Sequence, residues 1–251
     1  MAQRDRDDRI VDFVRAHGSS SVHALSREIG VGPSTIRRDL HRLSERQRLV
    51  RTYGGATVAE RPMGSPAALG TRATAEKRRV AVAAAGLVRD GMTIAVTSGS
   101  TAVEFARQLV DRHELTVITN SLDVAQVLLD REGIQLVVLG GVVRPRMHSM
   151  LGHLTEQACR EMRADILFMG IGAISLERGL MNDYLPEILT DRALRSIATS
   201  VVVITASVKF DLVAPALVFD LDEVDVIVTD SGVRAGVVED LTARGIKVIV
   251  A

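Results

Sequence analysis

Arginine, serine and threonine side chains are concentrated between residues 34 and 51, where six arginines occur. Arginine can bond a guanine base through two hydrogen bonds or pair with a phosphate, and serine and threonine hydroxyls can donate to either group. Apolar residues at helical spacing leave one set of polar side chains facing outward: Ser34, Thr35, Arg37, Arg38, His41 and Arg42. We interpret these residues as contacts to DNA, and a basic helix face that is merely solvated is the alternative.

A second group of residues could bind an anion. Ser98, Gly99, Ser100 and Thr101 lie between a predicted strand and a predicted helix. In such a loop the free N–H groups and the positive end of the helix dipole converge on one point, which favours phosphate. Because serine and threonine also cap ordinary helices, a simple N-cap is the alternative for this loop.

Three further loops follow predicted strands at equivalent positions. They contain Asn120, the pair Gly140 and Gly141 with Arg144 and Arg146 beyond it, and Lys209. Open α/β sheets bind ligands outside the carboxyl ends of their strands, so we expect these loops to surround one ligand. Arginine and lysine would supply the positive charge that an anionic ligand needs, with an ordinary surface lysine as the alternative for Lys209.

The outward-facing arginines need a scaffold of short helices. Three helices are predicted before residue 46, and their apolar faces are Ile10, Val11, Phe13 and Val14, then Val22, Leu25 and Ile29, then Ile36, Leu40 and Leu43. Gly30 and Gly32 separate the second helix from the third, and Pro33 suits the third helix's first turn. This arrangement can place a recognition helix in the major groove. Residues 49–53, followed by two glycines, predict the strand and tight turn of a β-wing.

The serine-glycine loop at 98–101 requires a sheet whose strand ends directly before it. From residue 76 onward, short apolar runs alternate with helical stretches, which predicts an α/β domain with a mostly parallel sheet covered on both faces. The predicted strands are 93–97, 115–119, 134–139, 166–170, 201–205, 224–229 and 246–250. Residues 59–75 contain prolines and glycines without periodicity. We therefore predict a winged helix-turn-helix domain over 1–58, a linker over 59–75 and an effector-sensing domain over 76–251.

Charge and composition indicate which classes of protein this chain can belong to. The formal net charge is zero, but residues 1–61 carry a net charge of +4 and the remainder −4, so a polyanion partner fits the first part of the chain. No apolar run approaches the roughly 20 residues of a membrane span, and the first residues lack the apolar core of a signal peptide, so we expect a cytoplasmic protein without a membrane partner. Cys159 has no second thiol, and His148 and His153 lack nearby ligands, so no metal site is predicted.

The first part of the chain resembles a known family. The resemblance is carried by residues 35–40, TIRRDL, and by residues 51–56, RTYGGA, which are similar to the recognition helix and wing of the DeoR family of bacterial transcription regulators. It implies that Ser34, Thr35, Arg37 and Arg38 bind DNA, with Arg51 and Tyr53 on the wing. It also implies that Asp39 orients an arginine. Gln47 stands where the family usually has a glycine before the wing.

The resemblance extends over nearly the whole chain. It is carried by SGST at 98–101, TNSL at 119–122, GG at 140–141, GIG at 170–172, Lys209, TD at 229–230, and Glu187 with TDRAL at 190–194. It implies a fold shared with ribose-5-phosphate isomerase and a sugar phosphate as effector. The implied phosphate residues are Ser98, Gly99, Ser100 and Thr101, and the implied partners of other polar groups are Asn120, Asp183, Glu187 and Lys209. Thr97 and Ala206 stand where the family usually has aspartates.

Two functions are compatible with these residues. The first is a DNA-binding transcriptional regulator, in most such proteins a repressor, that is controlled by a phosphorylated metabolite, binds double-stranded operator DNA as a homodimer or higher homo-oligomer, and needs no cofactor. The alternative is a phosphosugar isomerase. Isomerases of the ribose-5-phosphate type carry acidic residues after a Gly-Ala pair, whereas Ile174 and Ser175 follow Gly172-Ala173 here. We therefore predict a regulator and no enzyme.

Overall fold

A computed structural model describes residues 6–7, 9–11, 13–14, 19–45, 49–52, 55–58 and 75–251. The chain divides into two compact units, Met1–Met63 and Gly64–Ala251. Of the predicted linker 59–75, only Ala75 is described, and it is the first residue of a helix. Tyr53 and Gln47 also lie outside the described residues.

The first unit combines short helices with a small antiparallel sheet. Residues 6–7, 9–11 and 13–14 are helical, and the elements after them are β1 (Ser19–Ser21), α1 (Val22–Ile29), α2 (Pro33–Glu45), β2 (Leu49–Thr52) and β3 (Gly55–Val58). The strand order is β1-β3-β2, and β2 and β3 form the hairpin of the predicted wing. Gly55 lies in β3 rather than in the predicted turn, and the close approach of β1 requires a glycine there, since a Cβ would lie 2.2 Å from the backbone oxygen of Ser20.

The helix boundaries of the first unit follow from local hydrogen bonds. The Ser21 hydroxyl accepts a hydrogen bond from the amide of Ala24 and begins α1, and Gly30, at φ 76°, ends it. All the predicted apolar positions are buried except Phe13, which is partly buried. The helix-turn-helix core was thus predictable from hydrophobic periodicity.

The second unit is built on a seven-stranded parallel sheet of order β15-β14-β12-β9-β4-β5-β6. Its elements are α3 (Ala75–Ala85), β4 (Thr93–Val96), α4 (Ser100–Arg107), β5 (Leu115–Thr119), α5 (Leu122–Leu128), β6 (Ile134–Val138), β7 (Val142–Arg144), β8 (Ser149–Leu151), α6 (His153–Arg160), β9 (Ala164–Met169), β10 (Ala173–Ser175), β11 (Gly179–Asn182), α7 (Leu185–Ser196), β12 (Ala198–Ile204), the 3-10 turn Ser207–Asp211, β13 (Ala216–Phe219), the 3-10 turn Leu221–Glu223, β14 (Val226–Thr229), α8 (Ala235–Ala243) and β15 (Lys247–Val250). The predicted α/β class and parallel sheet are confirmed.

Both faces of this sheet are buried. Alternate residues of one strand point to opposite faces, so Val201 and Val203 of β12 belong to one apolar cluster and Val202 and Ile204 to another. The strands are therefore apolar throughout, as expected for a parallel sheet that is covered on both sides. Two smaller antiparallel groups, the β7–β8 hairpin and the β10-β11-β13 sheet, were not predicted.

The order of the strands fixes where a ligand can bind. From β4 the chain moves outward through β5 to β6, and then returns to β9 on the other side of β4. The strand order thus reverses between β4 and β9, and open α/β sheets bind ligands at the carboxyl ends of strands at such a point.

Candidate functional site

The main candidate site is a cavity at the carboxyl ends of β4, β9 and β12. The residues that line it are Lys77, Thr97, Ser98, Gly99, Ser100, Thr101, Arg144, Met147, Gly170, Ile171, Gly172, Asn182, Asp183, Glu187, Asp191, Ile204, Thr205, Ala206 and Lys209. The cavity therefore lies at the reversal of strand order that the sheet topology singles out.

The serine-glycine loop connects β4 to α4 along one wall of the cavity. Gly99 has φ 121°, a backbone conformation that L side chains rarely adopt, and it directly precedes the first helical residue, Ser100. No side chain caps the N-terminus of α4, so the N-cap alternative for these serines does not hold. Thr97 takes part in holding the loop, because its hydroxyl accepts a hydrogen bond from the amide of Gly170 at 3.1 Å.

Two buried lysines face this loop. Lys77 and Lys209 are only 5% and 7% exposed, although lysine is almost never fully buried unless it is paired. The Lys77 ammonium donates a hydrogen bond to the Ser100 hydroxyl at 2.9 Å. The Lys209 ammonium has no hydrogen bond or ion pair within the described part of the chain. The third lysine of the chain, Lys247, is exposed on β15.

Burial makes positive charge costly at this end of the cavity. Burial, together with the neighbouring charge of Lys77, lowers the pKa of Lys209 to about 8, against the opposing effect of Asp183. Burial also lowers the pKa of Lys77. A dianion between these ammonium groups would relieve that cost, so this end is suited to phosphate.

The opposite end of the cavity is acidic. Glu187 accepts hydrogen bonds from Arg144 at 2.6 Å and from the Ser149 hydroxyl at 3.2 Å, and Arg144 stacks 4.1 Å above the ring of Tyr184. Arg144 also lies 3.7 Å from Asp183. Burial raises the pKa of Glu187 despite the charge of Arg144. Carboxylates and guanidinium together offer acceptors and donors for the hydroxyl groups of a polar ligand.

A buried amide and carboxyl group support this acidic end. The Asn182 side chain accepts a hydrogen bond from the amide of Gly172 at 2.9 Å and donates one to Asp191 at 2.8 Å. Burial raises the pKa of Asp191 well above its ordinary value, and the charge of Glu187 acts in the same direction. Asp191 is therefore protonated more readily than a solvent-exposed aspartate.

The structure brings most of the predicted effector residues together. Seven of them line the cavity: Ser98, Gly99, Ser100, Thr101, Asp183, Glu187 and Lys209. Sequence reasoning did not assign Lys77, Asn182 and Asp191 to the site. For Lys77 a signal existed, because it shares the buried stripe of α3 with Val80, Ala81 and Ala84.

Asn120, Gly140 and Gly141 do not line the cavity. The Asn120 side chain donates to the backbone oxygen of Met150 at 3.1 Å and fixes β8 against the end of β5. The backbone oxygen of Gly140 accepts from the Thr155 hydroxyl. A Cβ on Gly141 would lie 2.3 Å from that hydroxyl. These residues therefore position the β7–β8 hairpin, which carries Arg144 and leads to Ser149.

The candidate DNA-contacting residues lie on α2. Ser34, Arg37, Arg38 and His41 are exposed, and Thr35 is half-buried. On the hairpin, the backbone of Arg51 lies in β2, while its side chain, like the whole of Tyr53, lies outside the described residues.

Arg42, also predicted to contact DNA, has ion-pair partners within its own unit. Its guanidinium lies 2.5 Å from Asp7 and 2.7 Å from Asp39, and Arg6 reaches Asp39 from the other side at 2.7 Å. Burial tends to raise the pKa of Asp39, but hydrogen bonds from Arg6 and Arg42 outweigh it and hold the pKa below its ordinary value. The charge of Arg42 is thus used inside the first unit, and the predicted role of Asp39 in orienting an arginine agrees with these contacts.

Neither a membrane-spanning helix nor a group of metal ligands occurs in the part of the chain that the structure describes. No helix there has both the length and the apolar composition to cross a membrane. No three histidine, cysteine, aspartate or glutamate side chains there are grouped as metal ligands. His148, considered above for a metal, pairs with Asp123 at 2.9 Å.

Solved structures give a limited likeness. Ribose 5-phosphate isomerase A from Methanocaldococcus jannaschii is 25% identical with a TM-score of 0.39, over 53% of each chain. eIF2B beta from Chaetomium thermophilum is 15% identical with a TM-score of 0.43, over 82% of this chain and 54% of that one. At these TM-scores the likeness carries no argument about activity.

Sequence comparisons cover almost the entire chain. Residues 6–61 match the DeoR-like helix-turn-helix domain, and residues 72–231 match the DeoR C terminal sensor domain. A candidate aga operon transcriptional repressor from Escherichia coli O157:H7 is 34% identical over 98% of this chain and 93% of its own length. The transcriptional repressor AccR from Agrobacterium fabrum is 33% identical over 92% and 91%, and the glycerol-3-phosphate regulon repressor from Escherichia coli K12 is 29% identical over 98% of both. The chain belongs to the DeoR family of transcriptional regulators.

Proposed function

We propose that this protein is a transcriptional repressor that is controlled by a phosphorylated sugar or a similar metabolite bound in the cavity of the second unit. The observation that carries the proposal is the pair of buried lysines beside an uncapped helix N-terminus. Two of the chain's three lysines line this one cavity, and the Lys209 ammonium has no partner within the described residues. Such a pair is stable in the protonated form when an anion lies between the two ammonium groups.

The two ends of the cavity match the two parts of a sugar phosphate. The phosphate would accept hydrogen bonds from the backbone and hydroxyl groups of residues 98–101 and from Lys77 and Lys209. The hydroxyl groups of the sugar would donate to Asp183 and Glu187 and accept from Arg144. Names of two relatives, an aga operon repressor and a glycerol-3-phosphate regulon repressor, agree with control by metabolites of this class.

The first unit would bind double-stranded operator DNA. Ser34, Thr35, Arg37, Arg38 and His41 would contact the major groove and adjacent phosphates, and Arg51 and Tyr53 would add further contacts to DNA. Arg42 would act inside the unit through Asp39 rather than on DNA. We divide the chain at 1–58, 59–75 and 76–251 for these roles.

Operators with two-fold symmetry require two recognition helices, so the active species would be a homodimer or a higher homo-oligomer. A repressor acts where the chromosome lies, which in a bacterial cell is the cytoplasm.

We propose control rather than catalysis for the cavity. An isomerase needs a base that is free to take a proton from its substrate. Glu187 is engaged by Arg144 and Ser149, and Asp191 by Asn182. Ile174 and Ser175 supply no carboxylate after Ala173.

The proposal is tested by a thermal-shift screen against sugar phosphates, with the matching free sugars as controls. A ligand at a hundredfold excess over its Kd adds about 2.7 kcal/mol to the free energy of unfolding, which raises the Tm by several degrees. We expect one phosphorylated compound to raise the Tm, its free sugar to leave it unchanged, and the same compound to alter affinity for operator DNA. Lys209→Met should remove the shift and Lys247→Met, at the exposed lysine, should retain it. A shift of the same size with the free sugar would contradict a phosphate site.

A further inference from the structure

Lys77 lies near the start of the second unit. It is the third residue of α3, which begins at Ala75, and residues 59–74 join that helix to the DNA-binding unit. The candidate phosphate loop is 23 positions further along the chain, at Ser100, and Lys77 reaches it with its ammonium. A bound anion would therefore act directly on the first turn of the helix that follows the connection between the two units.

The rest of α3 is fixed by apolar packing. Val80, Ala81 and Ala84 belong to the same buried cluster as Phe105 and Ala106 of α4. The first two residues of α3, Ala75 and Glu76, are exposed. Lys77 is the buried residue between them and this cluster, so its ammonium holds the first turn of the helix to the loop.

We propose that Lys77 transmits effector binding from the phosphate loop to the connection with the DNA-binding unit, an inference that rests on the function proposed above. An ammonium group has three donors, and the Ser100 hydroxyl accepts from one of them. A phosphate on residues 98–101 gives Lys77 a charged acceptor, which forms a stronger hydrogen bond than a neutral hydroxyl. The first turn of α3, which follows the connection in sequence, is then held more firmly.

Lys209 provides the comparison. It contributes a charge to the same anion but lies in the 3-10 turn after β12, remote in sequence from the connection. Losing either lysine should weaken phosphate binding about tenfold or more, because each removes a hydrogen bond to a charged group. Only the loss of Lys77 should also separate binding from its effect on α3. If Lys77 served affinity alone, both variants would regain the full response once saturated.

The test is hydrogen exchange of the full chain with inorganic phosphate as the probe and chloride at equal ionic strength as the control. In the unsubstituted protein, phosphate should slow amide exchange both in residues 98–104 and in residues 75–80. In Lys77→Met, saturating phosphate should slow exchange in 98–104 only. In Lys209→Met, higher phosphate should restore slowing in both segments, and Lys77→Arg should restore the coupling because it keeps the charge. Lys247→Met is the matched control and should behave as the unsubstituted protein does.

The outcomes separate the two proposals. Slowing of 75–80 in saturated Lys77→Met, to the extent seen without the substitution, would overturn the role of Lys77 and leave the phosphate site intact. Absence of any slowing in 98–104 of the unsubstituted protein would overturn the phosphate site itself, and with it this inference. Exchange in residues 80–84 without phosphate shows whether Lys77→Met has disturbed α3, and Lys77→Arg then decides the question.

Discussion

The Asp39 cluster of the first unit and the two lysines of the cavity bury charge in different ways. In the first unit, Asp39 is 1% exposed and lies between Arg6 and Arg42, and Arg42 also reaches Asp7. Each charge there has an opposite partner at hydrogen-bonding distance. In the second unit, Lys77 and Lys209 are also buried and line one cavity, and the charge of Lys77 contributes to the lowered pKa of Lys209.

The pKa values record this difference. Hydrogen bonds from two arginines outweigh burial and lower the pKa of Asp39, which favours its charged form. Burial and the charge of Lys77 lower the pKa of Lys209 to about 8, which disfavours its charged form. Partners stabilise the buried charge of Asp39, whereas the lowered pKa of Lys209 in a cavity supports the anion site proposed above.

The largest effect on the free energy of unfolding is expected at Asp39 and its two arginines, Arg6 and Arg42. Asp39→Ala removes the carboxylate shared by Arg6 and Arg42 and leaves two partly buried guanidinium groups without it, which should destabilise the first unit by about 3 kcal/mol. Urea denaturation measures this change, with Glu28→Ala, at an exposed carboxylate of α1, as the control. Equal unfolding curves for the two variants would mean that the cluster contributes no stability and that the comparison fails in this unit.

The opposite sign is expected at Lys209 in the cavity of the second unit. Lys209→Met removes a buried charge that has no hydrogen bond or ion pair among the described residues, so the free energy of unfolding of the ligand-free protein should rise, by about 1 kcal/mol. Phosphate affinity should fall about tenfold or more in the same variant. Denaturation and calorimetric titration with inorganic phosphate measure the two changes. A loss of stability would place Lys209 with the structural charges of the first unit.

Two arginines on α2 allow the same comparison between a charge with partners inside the unit and a charge exposed on its surface. Arg37 is exposed, whereas Arg42 is engaged by Asp7 and Asp39. Arg37→Ala should weaken operator binding by about 1–3 kcal/mol while leaving the free energy of unfolding unchanged. Fluorescence anisotropy with labelled operator DNA and urea denaturation check the two halves of this statement. Unchanged DNA affinity would remove Arg37 from the interface.

The sequence predicts well those features that periodicity encodes. Helical spacing identified Ile36, Leu40 and Leu43 as the buried face of α2, and all three are buried. Apolar runs identified the parallel sheet, and position after a strand brought the loop 98–101 to the cavity. These inferences needed only local sequence and the rule that parallel strands end at one edge.

The sequence predicts poorly where a side chain finds a distant partner. Helical spacing places Arg42 on the same outward face as Arg38. Asp7, which contacts Arg42, lies 35 positions earlier, so only the fold brings the two together. Gly140 and Gly141 also follow a strand, yet the chain turns there into a hairpin that carries Arg144 to the cavity instead. Lys77 was missed because a lysine near a linker resembles a surface residue, although its position on the buried stripe of α3 pointed to the interior.

The smallest effect is expected when pH is changed. Titration of Lys209 should affect the stability of the ligand-free protein and the affinity for phosphate in opposite directions. The pKa of Lys209 is about 8 against an ordinary value of 10.5, so between these values the unfolded chain binds more protons than the folded one. The contribution of Lys209 to the free energy of unfolding therefore rises with pH over this window. Phosphate needs the protonated lysine, so its affinity should fall as pH rises above about 8, by at most about tenfold per unit.

Calorimetric titrations with inorganic phosphate at several pH values test this opposition. Inorganic phosphate becomes mostly a dianion only above neutral pH, so the highest affinity is expected between neutral pH and about pH 8. Lys209→Met should bind more weakly and lose the decline above pH 8, while Lys247→Met should keep it. If the decline persists in Lys209→Met, the titrating group is Lys77 rather than Lys209. Burial also lowers the pKa of Lys77.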